Sequence, residues 1–162
     1  MKVIAIIFVH NPVQWKFPLS SVFVWPLIRL VTGSKWNHCA MLCVKDGGEM
    51  MIIEALGKGV VKTSTLDWLK RATRDTEQVQ VNIACDWLED TIGLPYDYAS
   101  LLWWKVIKMA TGRWFGPQWD KAKKAVFCSE LCAMVVEHPE PWGVSPQDLY
   151  KYLNAKDRVV LS

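Results

Sequence analysis

The sequence has no cysteine pair at CxxC spacing, and its total of five, Cys39, Cys43, Cys85, Cys128 and Cys132, is odd. Structural zinc takes four ligands, usually with such tight spacing, and a disulfide framework usually shows an even count in a shorter chain. Cys128 and Cys132, four apart, could share one face of a helix, but two thiols fall short of a zinc set. The pattern points away from metal and staples and towards a reducing compartment. No apolar run is long enough for a bilayer, which needs about 20 residues; Val22–Val31 is shorter and broken by Pro26 and Arg29. An integral membrane protein is not expected, while peripheral membrane contact stays open. Met1–His10 resembles the apolar core of an export signal. It runs into Asn11-Pro12 without a small-residue cleavage site, so it reads as a buried strand, and a cytoplasmic location is expected. Repeats, low-complexity tracts and linkers are all missing, which makes residues 1–162 one domain. Net charge is only +3, and nucleic acid is not an expected partner.

What the chain has in quantity is apolar and aromatic surface: 51% of residues are hydrophobic and ten are tryptophan. Lys105, Lys108, Arg113, Lys121, Lys123 and Lys124 alternate with Trp103, Trp104, Trp114 and Trp119. That is either a solvated helix face backed by a buried aromatic side or a surface suited to anionic lipid. Composition alone does not separate an aromatic core from an aromatic binding face.

Along the chain, Val3–Val9 predicts a central strand covered on both faces. Ser20–Thr32 reads as a helix closed by Gly33 and interrupted by Pro26. His38–Val44 and Met50–Ala55 form strands around Lys45-Asp46-Gly47-Gly48, a tight-turn signal, and Gly57 and Gly59 bracket a second turn into Val60–Thr63. Ser64 or Thr65 can cap a helix over Thr65–Ala72 with Leu66 and Leu69 facing inward. Glu77–Ile83 alternates as a strand with Val79, Val81 and Ile83 on one side. Cys85–Ile92 is a short helix ended by Gly93, and roughly Tyr98–Thr111 a second one stopped by Gly112. Arg113–Pro117 is a loop. Gln118–Glu137 is a long helical region, broken near Val126 and stopped by His138-Pro139. Ser145-Pro146 opens a last helix through a serine cap and a proline in the first turn, and Arg158–Leu161 is a candidate closing strand.

The chemistry centres on Cys128 in AVFCSELCAMVVE, residues 125–137. A cysteine where a helix begins sits beside unpaired N–H groups and the positive end of the helix dipole, both of which favour the reactive thiolate. Such a thiol also fits a buried structural role. A nucleophile needs a base and a group to orient that base, and only three histidines are present. His138 lies ten residues along the same helical region, about 15 Å away at about 1.5 Å per residue, and is out of reach. His10 ends the first strand and is not excluded by position. His38 opens a strand, a rigid mount for a base. Glu54 stands in the apolar run Met51–Ala55, where a carboxylate needs a partner. Pairing Cys43 with Glu49 across the turn puts His38 opposite Glu54, within reach of a hydrogen bond.

The order of these pieces resembles a known family. His38 in SKWNHCAML, Glu54 in MIIEALGKGVV, then GLPYDYASL, Cys128 in FCSELC and VSPQDL at 144–149 are similar to the circularly permuted branch of the NlpC-type papain-like cysteine peptidases and amidases. There the histidine strand precedes the cysteine helix. The resemblance covers about Ser34 to Leu149. It implies an α+β papain-like fold, with an antiparallel sheet packed against helices that include the nucleophile helix. It implies a Cys128 thiolate, His38 as base and Glu54 as orienting carboxylate, with no cofactor and no metal. It also implies hydrolysis or transfer of an acyl group from an amide or ester through a thiol acyl-enzyme, on a cell-wall peptide or a lipid-like substrate. Tyr96 matches a tyrosine near such active sites; Trp36 and Ser129 are further candidates for contact with substrate, and Trp25 and Trp103-Trp104 could line an apolar groove. Two departures stand out. Cys39-Ala40-Met41 replaces a stretch where members often have a glycine, which implies a narrower groove, and no export signal is visible. The alternative is a non-catalytic papain-like binding module that presents its tryptophans to a protein or membrane.

Overall fold

The computed structural model describes residues 1–10, 34–71, 75–98 and 125–160, with the side chains of 71 and 156–160 left aside. The expected helices over Ser20–Thr32 and Tyr98–Thr111, the loop Arg113–Pro117 and the basic, tryptophan-rich stretch lie outside the described residues, as do Trp25, Trp103 and Trp104. The described architecture is mixed α and β. A five-stranded antiparallel sheet is formed by β1 (Lys2–His10), β2 (His38–Val44), β3 (Met50–Leu56), β4 (Gly59–Ser64) and β5 (Asp75–Ala84), in the order β4-β3-β2-β1-β5. Helices α1 (Thr65–Arg71), α2 (Cys128–Val135) and α3 (Pro146–Val160) accompany it, with short 3-10 turns at Asp86–Thr91 and Pro141–Gly143. Among the described residues no helix is long and apolar enough to cross a membrane.

β1 lies between β2 and β5 in the sheet, and its apolar run is buried on both faces, as its composition predicts. Val3, Ile6 and Phe8 join the larger core with Cys39, Met41 and Cys43 of β2, Met51, Ile53 and Ala55 of β3, and Leu131, Cys132 and Val135 of α2. A break in register between Val3 and Ala5 lets Val3 share a face with Ile6 and Phe8. Ile7 and Val9 join a smaller cluster with Ala40, Ile52 and Trp68 on the other face. The sheet therefore carries one thick layer, containing α2 and the Leu149 and Leu153 side of α3, and one thin layer closed by Trp68 of α1.

Helix α1 corrects an expectation. Leu66 and Leu69 are exposed, at 65% and 58%, and the buried residue is Trp68. In two helical turns one indole covers the apolar strip of the sheet, and the two leucines, three apart on another face, are left outside. Ser64 is the cap: its hydroxyl accepts from the Asp67 N–H at 3.1 Å and donates to the Asp67 carboxylate at 2.7 Å. β5 places Val79, Val81 and Ile83 against the core, as the alternation predicts. Residues Asp86–Thr91 form a 3-10 turn rather than an α-helix, followed by Gly93 at φ 91°.

The last element also departs from expectation. Arg158–Val160 continues α3 instead of starting a strand. Nothing between Leu149 and Val160 stops a helix, since no glycine or proline intervenes. The start of α3 follows the sequence: Ser145 Oγ accepts from the Asp148 N–H at 3.1 Å, and Pro146 occupies the first turn, where its missing N–H costs nothing.

Candidate active site

The hairpin of β2 and β3 mounts two of the polar groups. Its turn is set by Lys45-Asp46-Gly47-Gly48, with Gly47 and Gly48 at φ 101° and 85°, conformations that glycine adopts without a Cβ penalty. The register pairs Met41 with Ile53 and Val44 with Met50. That is two residues away from the expected alignment, because Lys45 and Glu49 close the turn by a bond from the Lys45 N–H to the Glu49 carbonyl at 3.0 Å. A shift of two keeps every side chain on its face. His38 and Glu54 thus become diagonal neighbours, and His38 Nε2 lies 2.9 Å from Glu54 Oε2. Both are buried, with 6% and 3% of their surface exposed. A carboxylate accepts, so Nε2 carries the hydrogen and Nδ1 is the ring nitrogen left to serve the thiol.

Cys128 is the first residue of α2. The preceding Val126 makes a parallel bridge to Tyr96, through bonds from the Val126 N–H to the Pro95 carbonyl at 3.0 Å and from the Asp97 N–H to the Val126 carbonyl at 3.2 Å. Phe127 follows in an extended conformation and has no side-chain acceptor with which to cap the helix. Residues 125–127 are not helical, and the helix begins at Cys128. The thiol is 4% exposed and lies close enough to the His38 ring and to Cys39 for both to bear on its charge state. His38 is the first residue of β2, at an end of the strand, where one sulfur can meet two consecutive residues.

These contacts set the charge state. The hydrogen bond from Cys39, then the bond and charge of His38, outweigh burial and hold the Cys128 thiol well below the ordinary thiol range. Burial works against a charged His38, but its bonds to Cys128 and Glu54 prevail and raise its pKa to about 10. Both shifts favour a thiolate beside an imidazolium over the neutral pair. Burial, then the negative sulfur nearby, pushes the Tyr96 hydroxyl up. Cys39 is likewise raised by burial and by its bonds to Cys128 and Cys132, so both neighbours stay protonated donors.

The loop carrying Tyr96 is pinned from the β3–β4 turn. The Val60 N–H donates to the Leu94 carbonyl at 2.8 Å, and the Gly93 N–H to the Val60 carbonyl at 2.9 Å. A Cβ on Gly59, at φ 109°, would lie 2.6 Å from the Leu94 oxygen, and one on Gly57 would collide with the Tyr98 hydroxyl.

Of the residues named from sequence, Cys128, His38, Glu54 and Tyr96 come together. Trp36 and Ser129 are buried, at 2% and 1% exposed. Trp36 packs against Phe8 and Tyr150, with ring centroids 6.2 and 5.7 Å away, and Lys35 lies over its ring. The Ser129 hydroxyl donates to the Val144 carbonyl at 2.7 Å and ties α2 to the segment before α3. His10 ends β1 opposite Asp75 of β5. His138 lies beyond α2, its Nδ1 accepting from the Glu140 N–H at 3.1 Å and its ring against Tyr152. The residue that sequence reasoning passed over is Cys39. The alternation of His38–Val44 carried the signal, since it sets Cys39, Met41 and Cys43 on one face. Among the described residues no three His, Cys, Asp or Glu side chains are grouped to hold a metal ion. No family model and no curated protein matches this chain.

Proposed function

We propose that this protein is a cysteine-dependent hydrolase or acyl transferase of the circularly permuted papain-like kind, acting on an amide or ester bond. The observation that carries the reading is the buried relay from Glu54 to His38 at 2.9 Å and from His38 to the thiol at the start of α2. In this mechanism the Cys128 thiolate attacks the carbonyl carbon, and the carbonyl electrons move to oxygen. In this reading the helix-start N–H groups and the Tyr96 hydroxyl donate to that oxygen. The intermediate collapses with expulsion of the amine or alcohol, which takes its proton from the His38 imidazolium. A thioester remains on Cys128, and His38 is now a neutral base. Water, or a second acceptor, gives its proton to His38 as it attacks the thioester. The acyl product leaves, and the thiolate–imidazolium pair is restored. Glu54 keeps the imidazole oriented throughout. A peptide or a lipid-linked acyl group satisfies this chemistry equally.

The test uses an activated ester, p-nitrophenyl acetate. The expected result is a burst of nitrophenolate together with one acetyl group on Cys128, located by peptide mass spectrometry, absent in Cys128→Ala and strongly slowed in His38→Ala. Slow acetylation spread evenly over all five cysteines would refute the enzyme and favour a binding module.

A further inference from the structure

The motif VSPQDL, residues 144–149, takes no part in the relay described above, yet its atoms reach both sides of it. On one side the Val144 carbonyl accepts from the Ser129 hydroxyl at 2.7 Å, in a buried contact one residue beyond Cys128. On the other, Gln147 Oε1 accepts from the Lys35 backbone N–H at 3.1 Å, three residues before His38. Between these two contacts the chain is stiff. Ser145 caps α3 by accepting from the Asp148 N–H at 3.1 Å and donating to the Asp148 carboxylate at 2.6 Å, and Pro146 fixes its own φ. Leu149 is fully buried in the core, its N–H on the Ser145 carbonyl at 3.0 Å. The ring of Tyr150, next on α3, stands 5.7 Å from that of Trp36 and seats the same lead-in to β2.

Both members of the relay stand where their own elements hold them least. His38 is the first residue of β2, whose ladder to β3 runs from Met41 to Val44 while its ladder to β1 continues to His38. In the described sheet the end that carries the imidazole is thus paired on the β1 side alone. Cys128 opens α2 behind Phe127, which has no side-chain acceptor to cap the helix. Element ends held by few bonds fray first. We propose that the Val144–Gln147 corner is a clamp that sets the spacing between Cys128 and His38, with Gln147 as a positioning residue for the base and Ser129 for the nucleophile. This deepens the thiol-enzyme reading and rests on it. Gln147 holds the chain entering β2 and Ser129 the first turn of α2, and neither contact involves the sulfur or the imidazole. A glutamine suits the place because its carbonyl accepts a hydrogen bond without bringing a charge to the relay. Its bond to Lys35 lies at the surface, so losing it costs the fold little while freeing the lead-in to His38.

The experiment measures the burst rate of Cys128 acetylation by p-nitrophenyl acetate, with the melting temperature followed by circular dichroism. It uses the wild type, Gln147→Met, Gln147→Glu, Ser129→Ala and the Ser129→Ala/Gln147→Met double variant. Gln147→Met keeps the length of the side chain and removes the acceptor. It slows the burst about tenfold, against about a hundredfold for a misplacement of about 1 Å, and leaves the melting temperature within about 2 °C of the wild type. Gln147→Glu, which keeps an acceptor oxygen, returns the rate to within about threefold of the wild type. Because the two bonds hold one spacing, the double variant is at most about twofold slower than the slower single one. The proposal is overturned if Gln147→Met matches the wild type, or if Met and Glu at this position are equally slow. It is overturned too if the two single effects multiply, since they would then be independent packing losses. Should Ser129→Ala fail to fold, the two Gln147 variants decide alone. A wild type without a burst sinks the hydrolase reading and the clamp with it, whereas a wild-type burst left unchanged in Gln147→Met sinks the clamp alone.

Discussion

Two ion pairs sit at opposite ends of the β2–β3 hairpin. At the turn, Lys45 Nζ meets Glu89 Oε1 at 2.5 Å, with the two side chains 33% and 43% exposed. At the open end, His38 meets Glu54 at 2.9 Å, with side chains 7% and 3% exposed. The contact distances are alike, yet water makes the pairs different objects. The Lys45 ammonium and Glu89 carboxylate keep their hydration and are screened, so their attraction changes little on folding. His38 and Glu54 have lost their water, and the charge on each is offset by buried partners, for His38 the Cys128 sulfur as well as Glu54. The same strand pair therefore carries one replaceable contact and one on which both the fold and the proposed chemistry rest.

The largest expected effect comes from breaking the buried end. Glu54→Ala should cost about 3–5 kcal/mol of stability in urea denaturation, the usual penalty for orphaning one member of a buried pair. Lys45→Ala should leave the midpoint unmoved. Glu54→Gln keeps the shape and removes the charge. It should slow ester turnover by on the order of a hundredfold, as expected when a general base loses its orienting group. An equal response at the two ends would show that burial is not what separates the pairs.

The pH dependence sharpens the same contrast. The folded pKa of His38, about 10, lies above its ordinary value of 6.5. A proton is thus bound more tightly in the folded state, and the stabilisation is complete below about 6.5 and lost as pH rises through about 10. Turnover should fall across that upper limb, because the leaving group no longer finds an acid. Iodoacetamide labelling of Cys128 should not fall there, because the sulfur is still a thiolate. Parallel curves for turnover and labelling would remove His38 as the proton donor.

A smaller effect is expected where the tyrosine segment is fixed. Gly59→Ala places a Cβ against the Leu94 oxygen at a positive φ, which should cost about 1–3 kcal/mol. It should also push Tyr96 from the sulfur, raising the apparent pKa of Cys128 in the labelling profile. Gly47→Ala, at a positive φ but with nothing within 4 Å of the added Cβ, should strain its turn and leave that profile unchanged.

These ends also differ in how much of them the sequence discloses. The turn end is written locally: Asp46-Gly47-Gly48 between two apolar runs specifies a reversal, and the alternation on each strand assigns faces. The site end is written only in part. Glu54 stands out because a carboxylate in Met51–Ala55 is unexplained without a partner, and His38 is one of three histidines. Their face could be read, whereas their alignment could not, since a two-residue slip preserves the face and only the turn geometry chooses between registers. Tyr96 reaches Cys128 through a bridge between residues 30 positions apart, and no local pattern announces such a pairing. Leu66 and Leu69 misled for a related reason. Helical spacing identifies an apolar face, but the neighbour that covers it is decided elsewhere in the chain, and Trp68 had the larger area to bury.

The smallest expected effect lies at the far end of α2, away from both pairs. The sequence places the stop at His138-Pro139, but the helix ends at Val135. Glu137 turns into the left-handed region at φ 54°, its N–H donating to the Met134 carbonyl at 3.2 Å and that of His138 to the Ala133 carbonyl at 2.9 Å. This is the hydrogen-bonded helix ending in which glycine is the usual occupant, because a Cβ is penalised there. Glu137→Gly relieves that penalty, which is worth about 1 kcal/mol after the added freedom of the unfolded chain is counted. It should raise the melting temperature by a few degrees and leave Cys128 labelling unchanged, because the substitution lies nine residues from the sulfur at the opposite end of the helix. A lower melting temperature would mean that Glu137 contributes through its side chain more than its backbone costs. A changed labelling profile would mean that the two ends of α2 are coupled.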